Sequence, residues 1–266
     1  MIAAAVHLVA CMVVFSIVER LWPSSSSPRK WWQRPLLVDI CSWLILPLAV
    51  GAGITLAILF ADALPREHFW YWLVRARTLI GAIPLVMQIV IAFLVIDFLS
   101  HWIHRAYHRI PFLWSFHVMH NTSEHVDWLS TLRLHPISQM IDTALIAGLL
   151  LIAGLPLKPI IAANALVGFS AVLTHANVPW TFGAFGRLFV SPIFHHWHHA
   201  RAGAELRTPE PANFGAALSI WDRIFGTSID DKNRPIRFGA DEASATNLRS
   251  LLLYPLRFCV RGRRNR

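Results

Sequence analysis

Five apolar runs divide the chain, and polar or charged residues bound each of them. The runs are Ile2–Val18, Leu36–Phe60, Leu79–Leu99, Ile137–Leu155 and Pro159–Leu173. Because roughly 20 apolar residues cross the hydrocarbon core of a bilayer, the first three runs predict transmembrane helices. The last two flank a turn-like segment, 154–159, and predict a membrane hairpin over 137–173. We therefore predict an all-α, integral membrane helical bundle that crosses the membrane several times.

The polar segments predict three regions along the chain. Residues 1–96 contain the N-terminal transmembrane helices and their connections, 97–239 form a histidine-rich region that includes the hairpin, and 240–266 form a basic C-terminal tail. Trp31 and Trp32, beside basic residues, indicate an anchor at the membrane interface. The connection Asp62–Thr78 mixes aromatic and charged residues, which favours an amphipathic, interface-lying stretch.

Composition supports the membrane class. Hydrophobic residues make up 55% of the chain and charged residues only 15%, while the formal net charge is +9. At this apolar content, the positive charge indicates cytoplasmic flanks that face anionic lipid and not a nucleic-acid partner. If the basic first connection, 19–35, is cytoplasmic, the third span emerges on the cytoplasmic side and the hairpin returns the chain there.

Twelve of the fourteen histidines lie between His101 and His199, at the ends of these runs and beyond them. Imidazole is the commonest metal ligand in proteins, and neutral imidazole suits iron, zinc and copper. Spacings of three and four residues place side chains on one face of a helix. The sequence therefore predicts a polyhistidine site for two metals, held by a helical cap on the cytoplasmic side.

The first histidines extend the third apolar run. Asp97, His101, His104 and His108 are spaced by 4, 3 and 4 residues and fall on one helix face. His104 and His108 can bind one metal together. Asp97 lies near the membrane boundary, where a carboxylate is costly, and we expect it to accept a hydrogen bond from a ligand imidazole.

Further histidines follow at similar spacings. His117 and His120 can share a helix face, and His175 ends the last apolar run. The densest motif is His195–His199, in which His195, His198 and His199 form an H-x-x-H-H arrangement. His196 points elsewhere on a helix, and His125 falls outside the spacing, so neither is expected to be a ligand.

These motifs together resemble the fatty acid hydroxylase/sterol desaturase superfamily, whose members are integral-membrane di-iron oxygenases with three histidine boxes. The likeness covers roughly half of the chain. His104–His108 resembles the first box, H-R-x-x-H, and Phe116–Asn121 stands where the second, H-x-x-H-H, belongs. His195–His199 resembles the third box, while Asn213–Gly215 and Trp221–Thr227 resemble the closing signature.

The resemblance implies two iron ions, O2 as co-substrate, and hydroxylation or desaturation of a C–H bond in a sterol or fatty acyl lipid taken from the bilayer. The sequence contains no glycine fingerprint for dinucleotide binding, so we expect a separate electron donor. The implied metal ligands are His104, His108, His117, His120, His135, His175, His195, His198 and His199.

Two positions depart from the family pattern. Asn121 replaces the last histidine of the second box, and an amide oxygen is a weaker, harder ligand than imidazole. His101 stands where the family usually has an aromatic residue, and it can supply a compensating ligand. A non-catalytic or altered metal-binding membrane protein of the same fold is therefore the alternative.

Two other classes agree less well with the sequence. A zinc hydrolase of the H-E-x-x-H type needs a glutamate beside its histidine pair, and none stands there. A transporter should carry polar ligands deep inside several spans, whereas these histidines cluster at span ends.

Overall fold

The computed structural model describes residues 2–24, 34–64, 66–201, 211–240 and 247–257. This part of the chain is helical, and its extended segments pair only in two isolated bridges, Phe189 with Leu218 and Ala200 with Phe238. The helices are α1 (Ile2–Leu21), α2 (Arg34–Ala63), α3 (Arg66–Gly81), α4 (Leu85–Arg109), α5 (Pro111–Asn121), α6 (Pro136–Ile152), α7 (Leu157–His175), α8 (Pro192–His198), α9 (Ile220–Ile224) and α10 (Leu248–Leu252). The all-α prediction is confirmed.

Three of the described helices are long and apolar enough to cross a membrane: Leu36–Ala63, Leu85–Arg109 and Leu157–His175. Helix α6 is apolar but shorter. Large aliphatic side chains such as Leu37, Leu59 and Val86 are exposed on these helices, as expected for side chains that face lipid. The chain is a membrane protein.

The helix that corresponds to the third predicted span, α4, begins and ends later than the apolar run Leu79–Leu99. Helix α3 includes Leu79 and ends at Gly81, and Pro84 directly precedes α4. Proline fits the start of a helix because it has no N–H to leave unpaired. Helix α4 then continues without a break to Arg109, so the membrane helix itself carries the first histidines.

Small residues allow the membrane helices to pack closely. Helix α2 packs on α6, and α4 packs on α7. Ala57, Ala92, Ala147 and Ala163 are buried in the shared core. A Cβ atom at Gly53 would lie 2.5 Å from the carbonyl oxygen of Met140, so only glycine allows the backbones of α2 and α6 to approach this closely.

One end of the bundle gathers the segments that follow α5 and α7. The Glu19 carboxylate, near the end of α1, accepts hydrogen bonds from the backbone N–H groups of Trp128 and Asn177, at 3.0 and 2.8 Å. Near the start of α2, Asp39 accepts a hydrogen bond from buried Arg133 at 2.6 Å. These contacts bring both histidine-bearing parts of the chain to the same end, as the topology predicted.

Two predicted features lie outside the described residues. These are the interfacial anchor at Trp31 and Trp32 and two parts of the basic tail, residues 241–246 and 258–266. The connection predicted to be amphipathic contains helix α3.

Candidate metal centre

Eight histidines form two adjoining groups. Seven lie on α4, α5, α7 and α8, and the eighth, His199, directly follows α8. Within each group, one ring nitrogen from every residue lies within 4.8 Å of the others. We call them the first group (His104, His108, His117 and His198) and the second group (His120, His175, His195 and His199). The imidazole centroids of His198 and His199, one from each group, are 5.1 Å apart.

Helical spacing decides which group each histidine joins. Each residue turns an α-helix by roughly 100°, so side chains four apart nearly coincide while a neighbour points elsewhere. His104 and His108 accordingly share the first group, and His195 and His199 share the second. His117 and His120 are three residues apart, and they lie in different groups. They were expected to share a helix face, but they do not contribute to the same group.

Backbone carbonyl groups orient two imidazoles of the first group. His104 Nδ1 donates to Phe214 O at 3.0 Å, and His198 Nδ1 donates to Ala212 O at 2.8 Å. A proton on Nδ1 leaves a lone pair on Nε2. The Nε2 atoms of both residues are buried and have no hydrogen-bond partner among the described residues, so both are available to a metal.

In the second group the Nε2 atoms converge on one point. His175 Nδ1 lies 2.7 Å from Ala171 O, which places its proton there. His175 Nε2 lies 3.2 Å from the Nε2 atoms of both His195 and His199, which are themselves 3.2 Å apart. Ligand atoms about 2.1 Å from one ion are roughly 3.0–3.4 Å apart in octahedral or tetrahedral geometry, so these distances fit a shared ion.

The electrostatics of the site favours neutral imidazoles. Burial, followed by the charge of neighbouring imidazoles, holds the pKa of five histidines outside the membrane helices well below its usual range: His117, His120, His195, His198 and His199. Neutral imidazole is the form that binds metal. The buried, all-nitrogen donor sets therefore fit two metal ions, and iron, zinc and copper all accept such ligands.

The segment 212–222 supports the first group through hydrogen bonds that were not predicted from the sequence. The Asp222 carboxylate accepts hydrogen bonds from Phe214 N–H at 2.9 Å and from Gly215 N–H at 2.8 Å. Asn213, at φ 58°, donates to Phe194 O at 2.7 Å. Both residues stand in motifs of the closing signature, and together they hold the carbonyl groups that His104 and His198 need.

The structure corrects the role predicted for Asp97. Its carboxylate accepts hydrogen bonds from Ala217 N–H at 2.7 Å, Leu218 N–H at 3.1 Å and Trp221 Nε1–H at 2.8 Å. These donors satisfy the buried carboxylate without an imidazole. Asp97 therefore fastens the 217–221 segment to α4 and acts on the site only through that segment.

His135 and His101 join neither group. His135 Nε2 donates to Leu252 O at 3.1 Å, and its Nδ1 accepts from Ile137 N–H at 3.3 Å, so hydrogen bonds occupy both ring nitrogens. His101 is fully buried and packs against Trp102 and Phe225. Its ring therefore packs as the aromatic residue usual at this position of the family would. Neither the further ligand expected at His135 nor the compensating ligand at His101 is found in the groups.

Two other histidines also lie outside the groups, as the spacing predicted. His196 is fully buried, with its ring 5.8 Å from that of Phe238. His125 is only half-buried.

The model of the family described as fatty acid hydroxylase matches residues 89–227, just over half of the chain. The chain belongs to the fatty acid hydroxylase family. The matched stretch contains all eight histidines of both groups, together with Asn213 and Asp222.

The names of proteins similar to this chain refer to several kinds of lipid. Ornithine lipid hydroxylase OlsE of Rhizobium tropici is 29% identical over 230 residues, which is 81% of this chain and 64% of the relative. Alkylglycerol monooxygenase of Homo sapiens is 29% identical over 153 residues, 56% of this chain and 32% of the relative. Methylsterol monooxygenase 1-2 of Arabidopsis thaliana is 26% identical over 160 residues, which is 55% of this chain and 48% of the relative.

The chain thus spans between about one third and two thirds of the length of these relatives. No solved structure matches it.

The departure of this family member at Asn121 falls beside the first group. Asn121 is the last residue of α5 and is buried. Its Nδ2 lies 3.3 Å from His108 Nε2, and its Oδ1 is buried without a hydrogen-bond partner among the described residues. The amide thus faces a ring nitrogen that is available to a metal.

Proposed function

We propose that this protein is a membrane-bound di-iron oxygenase that uses O2 to hydroxylate or desaturate a C–H bond of a sterol or fatty acyl lipid. The convergence of eight histidines, six of them buried and two half-buried, into two adjoining four-nitrogen groups carries the proposal. The names of the relatives, which include hydroxylases and monooxygenases of lipids, support it. In hydroxylation, R–H, O2, two electrons and two protons give R–OH and water.

The donor atoms accept iron as well as zinc and copper, and the choice of iron is supported by the names of the relatives. The eight ligands are neutral, so the protein leaves the positive charge of two iron ions to be balanced by oxygen species. Two bound irons would activate O2, with electrons from the donor, so that it can oxidise an unactivated C–H bond. The chain's own residues position the ions and exclude competing reactions.

Aromatic side chains help to exclude water from the first group. The Phe214 ring lies 5.4 Å from that of His108 and 5.8 Å from that of His198. Tyr107 stacks on His117 at 5.2 Å, and its hydroxyl donates to Asp142 of α6 at 2.8 Å. A dry, shaped cavity protects reactive species from water.

The position of the ligands supports a lipid substrate that enters from the bilayer. His104 and His108 lie in the last turns of membrane helix α4, and His175 ends α7. We further propose that these ends are cytoplasmic in a multi-pass protein. The basic first connection supports this side, because its flanks, the end of α1 and the start of α2, contact the segments beside the site. A separate protein supplies the electrons.

The proposal is tested by mass spectrometry of lipid products. The full chain is purified anaerobically in detergent, loaded with Fe(II), reduced chemically and exposed to 18O2 with ornithine lipid, alkylglycerol, sterol and phospholipid in separate samples. We expect one lipid class to gain one 18O atom or to lose two hydrogens, and H198A to give no product. Two bound irons without any oxygen-dependent product would support the non-catalytic alternative.

A further inference from the structure

We propose that Asn121 binds the ion of the first group through its side-chain carbonyl oxygen, so that the two metal positions have different ligand sets. The inference rests on the two-metal site proposed above. It assigns a role to the one position of the second histidine box where this chain has an amide in place of imidazole.

Helical register places Asn121 with the first group. It stands four residues after His117, as His108 stands four after His104 and His199 four after His195. Both of those histidine pairs share a group. His120, three residues after His117, belongs to the second group, so the side of α5 that carries His117 and Asn121 faces the first.

The distance to His108 fits two ligands of one ion. The amide nitrogen of Asn121 lies 3.3 Å from His108 Nε2. Two ligand atoms about 2.1 Å from a metal are roughly 3.0–3.4 Å apart. Rotation of the amide by half a turn exchanges its oxygen and nitrogen with almost no change of shape, which places Oδ1 where it can bind the same ion as His108.

Hydrogen bonding also favours this arrangement once the ion is present. An imidazole nitrogen that binds a metal has no lone pair left to accept a hydrogen bond. The Asn121 N–H that now faces His108 Nε2 would then lose its acceptor, whereas its carbonyl oxygen would gain the ion. In the described orientation Oδ1 is buried without a hydrogen-bond partner among the described residues, which is unfavourable for a polar group.

The consequence is a difference between the two positions. The first ion would have four imidazoles and one amide oxygen, and the second four imidazoles. An amide oxygen is a harder and weaker donor than imidazole, so a ligand can displace it more easily. We therefore expect the first position to be the one at which a coordination site opens.

The test is the rate of metal release. The full chain in detergent is loaded anaerobically with Co(II), and release to an excess of chelator is followed by absorbance. For N121A we expect one ion per chain to leave at least tenfold faster than in the unaltered protein, with the other unchanged. For N121D, which keeps an oxygen in the same place, we expect release no faster than in the unaltered protein.

The neighbouring residue supplies a matched control. Thr122 directly follows α5, and its hydroxyl donates to Met119 O at 2.9 Å, so T122A disturbs the helix end without removing the amide. We expect unaltered release from T122A. The inference would be overturned if N121A released both ions at the rate of the unaltered protein. Faster release of one ion from N121D would also overturn it, and this second variant provides the test if N121A does not fold. Fewer than two ions in the unaltered protein would instead contradict the proposed function.

Discussion

The two histidine groups use similar ligands but depend on different parts of the fold. The second group takes its support from nearby, because His175 Nδ1 bonds to Ala171 within α7. The first group takes it from a segment more than 100 residues away from His104, through the carbonyl of Phe214. His104 and His108 are also only half-buried, whereas all four members of the second group are buried. The first group is therefore the more accessible position and the one that remote changes can disturb separately.

Substitution of two adjacent histidines should distinguish the two groups with the largest effect. His198 belongs to the first group and His199 to the second. We expect H198A and H199A each to lower the metal content by one ion per chain, because each removes one of four imidazoles from a different ion. Elemental analysis of the purified proteins measures this, and the double variant should hold no tightly bound metal. Loss of both ions in each single variant would show that the groups are not separate sites.

Acid should lower the stability of the folded, metal-free protein through the histidines of both groups. Burial lowers the pKa of His117, His120, His195, His198 and His199 in the folded protein. The unfolded chain, with histidine pKa values near 6.5, binds protons first as the pH falls, so folded stability is full above about 6.5 and declines below it. Each histidine contributes at most about 1.4 kcal/mol per pH unit.

Thermal unfolding of the metal-free protein in detergent measures this effect. We expect a lower Tm at pH 5.5 than at pH 7.5. A Tm that does not change over this range would contradict the buried, neutral state of these imidazoles.

A change in the remote segment should affect the first group alone. Asp222 accepts hydrogen bonds from two successive backbone N–H groups, so D222N turns an amide N–H toward a donor. We expect metal affinity to fall by about 10–100-fold at one position, as for other groups that orient metal ligands, measured by competition with a chelator. D230N is the control, because Asp230 forms a partly exposed ion pair with Arg223. Equal weakening of both ions would contradict the separate support of the two groups.

The smallest effect is expected at His135, which lies in neither group. H135Q should leave the metal content unchanged and lower stability by about 1–2 kcal/mol, because two hydrogen bonds worth about 1 kcal/mol each are altered. Elemental analysis and the Tm report the two effects. Loss of one ion from H135Q would restore His135 as a ligand.

Much of this centre was predictable from local pattern. Three of the five apolar runs correspond to described helices that are long and apolar enough to cross a membrane. Spacings of three and four residues identified seven of the eight histidines that the structure brings together. The eighth, His175, has no such neighbour in the sequence, and only the family resemblance implied it as a ligand. Their division into two groups depends on how α4, α5, α7 and α8 meet, which no local spacing contains. The partners of Asp97, and the Leu252 carbonyl that binds His135 Nε2, could not be predicted either, because they stand 117–124 residues further along the chain. The motif around Asp222 was visible, but its hydrogen bonds to Phe214 and Gly215 were not.

The central claim, that two adjoining groups hold two metal ions, is tested most directly by anaerobic titration of the metal-free protein with Fe(II). The account predicts that binding saturates at two irons per chain, and at none for the protein that carries both H198A and H199A. Saturation at one iron, or two irons retained by the double variant, would contradict it.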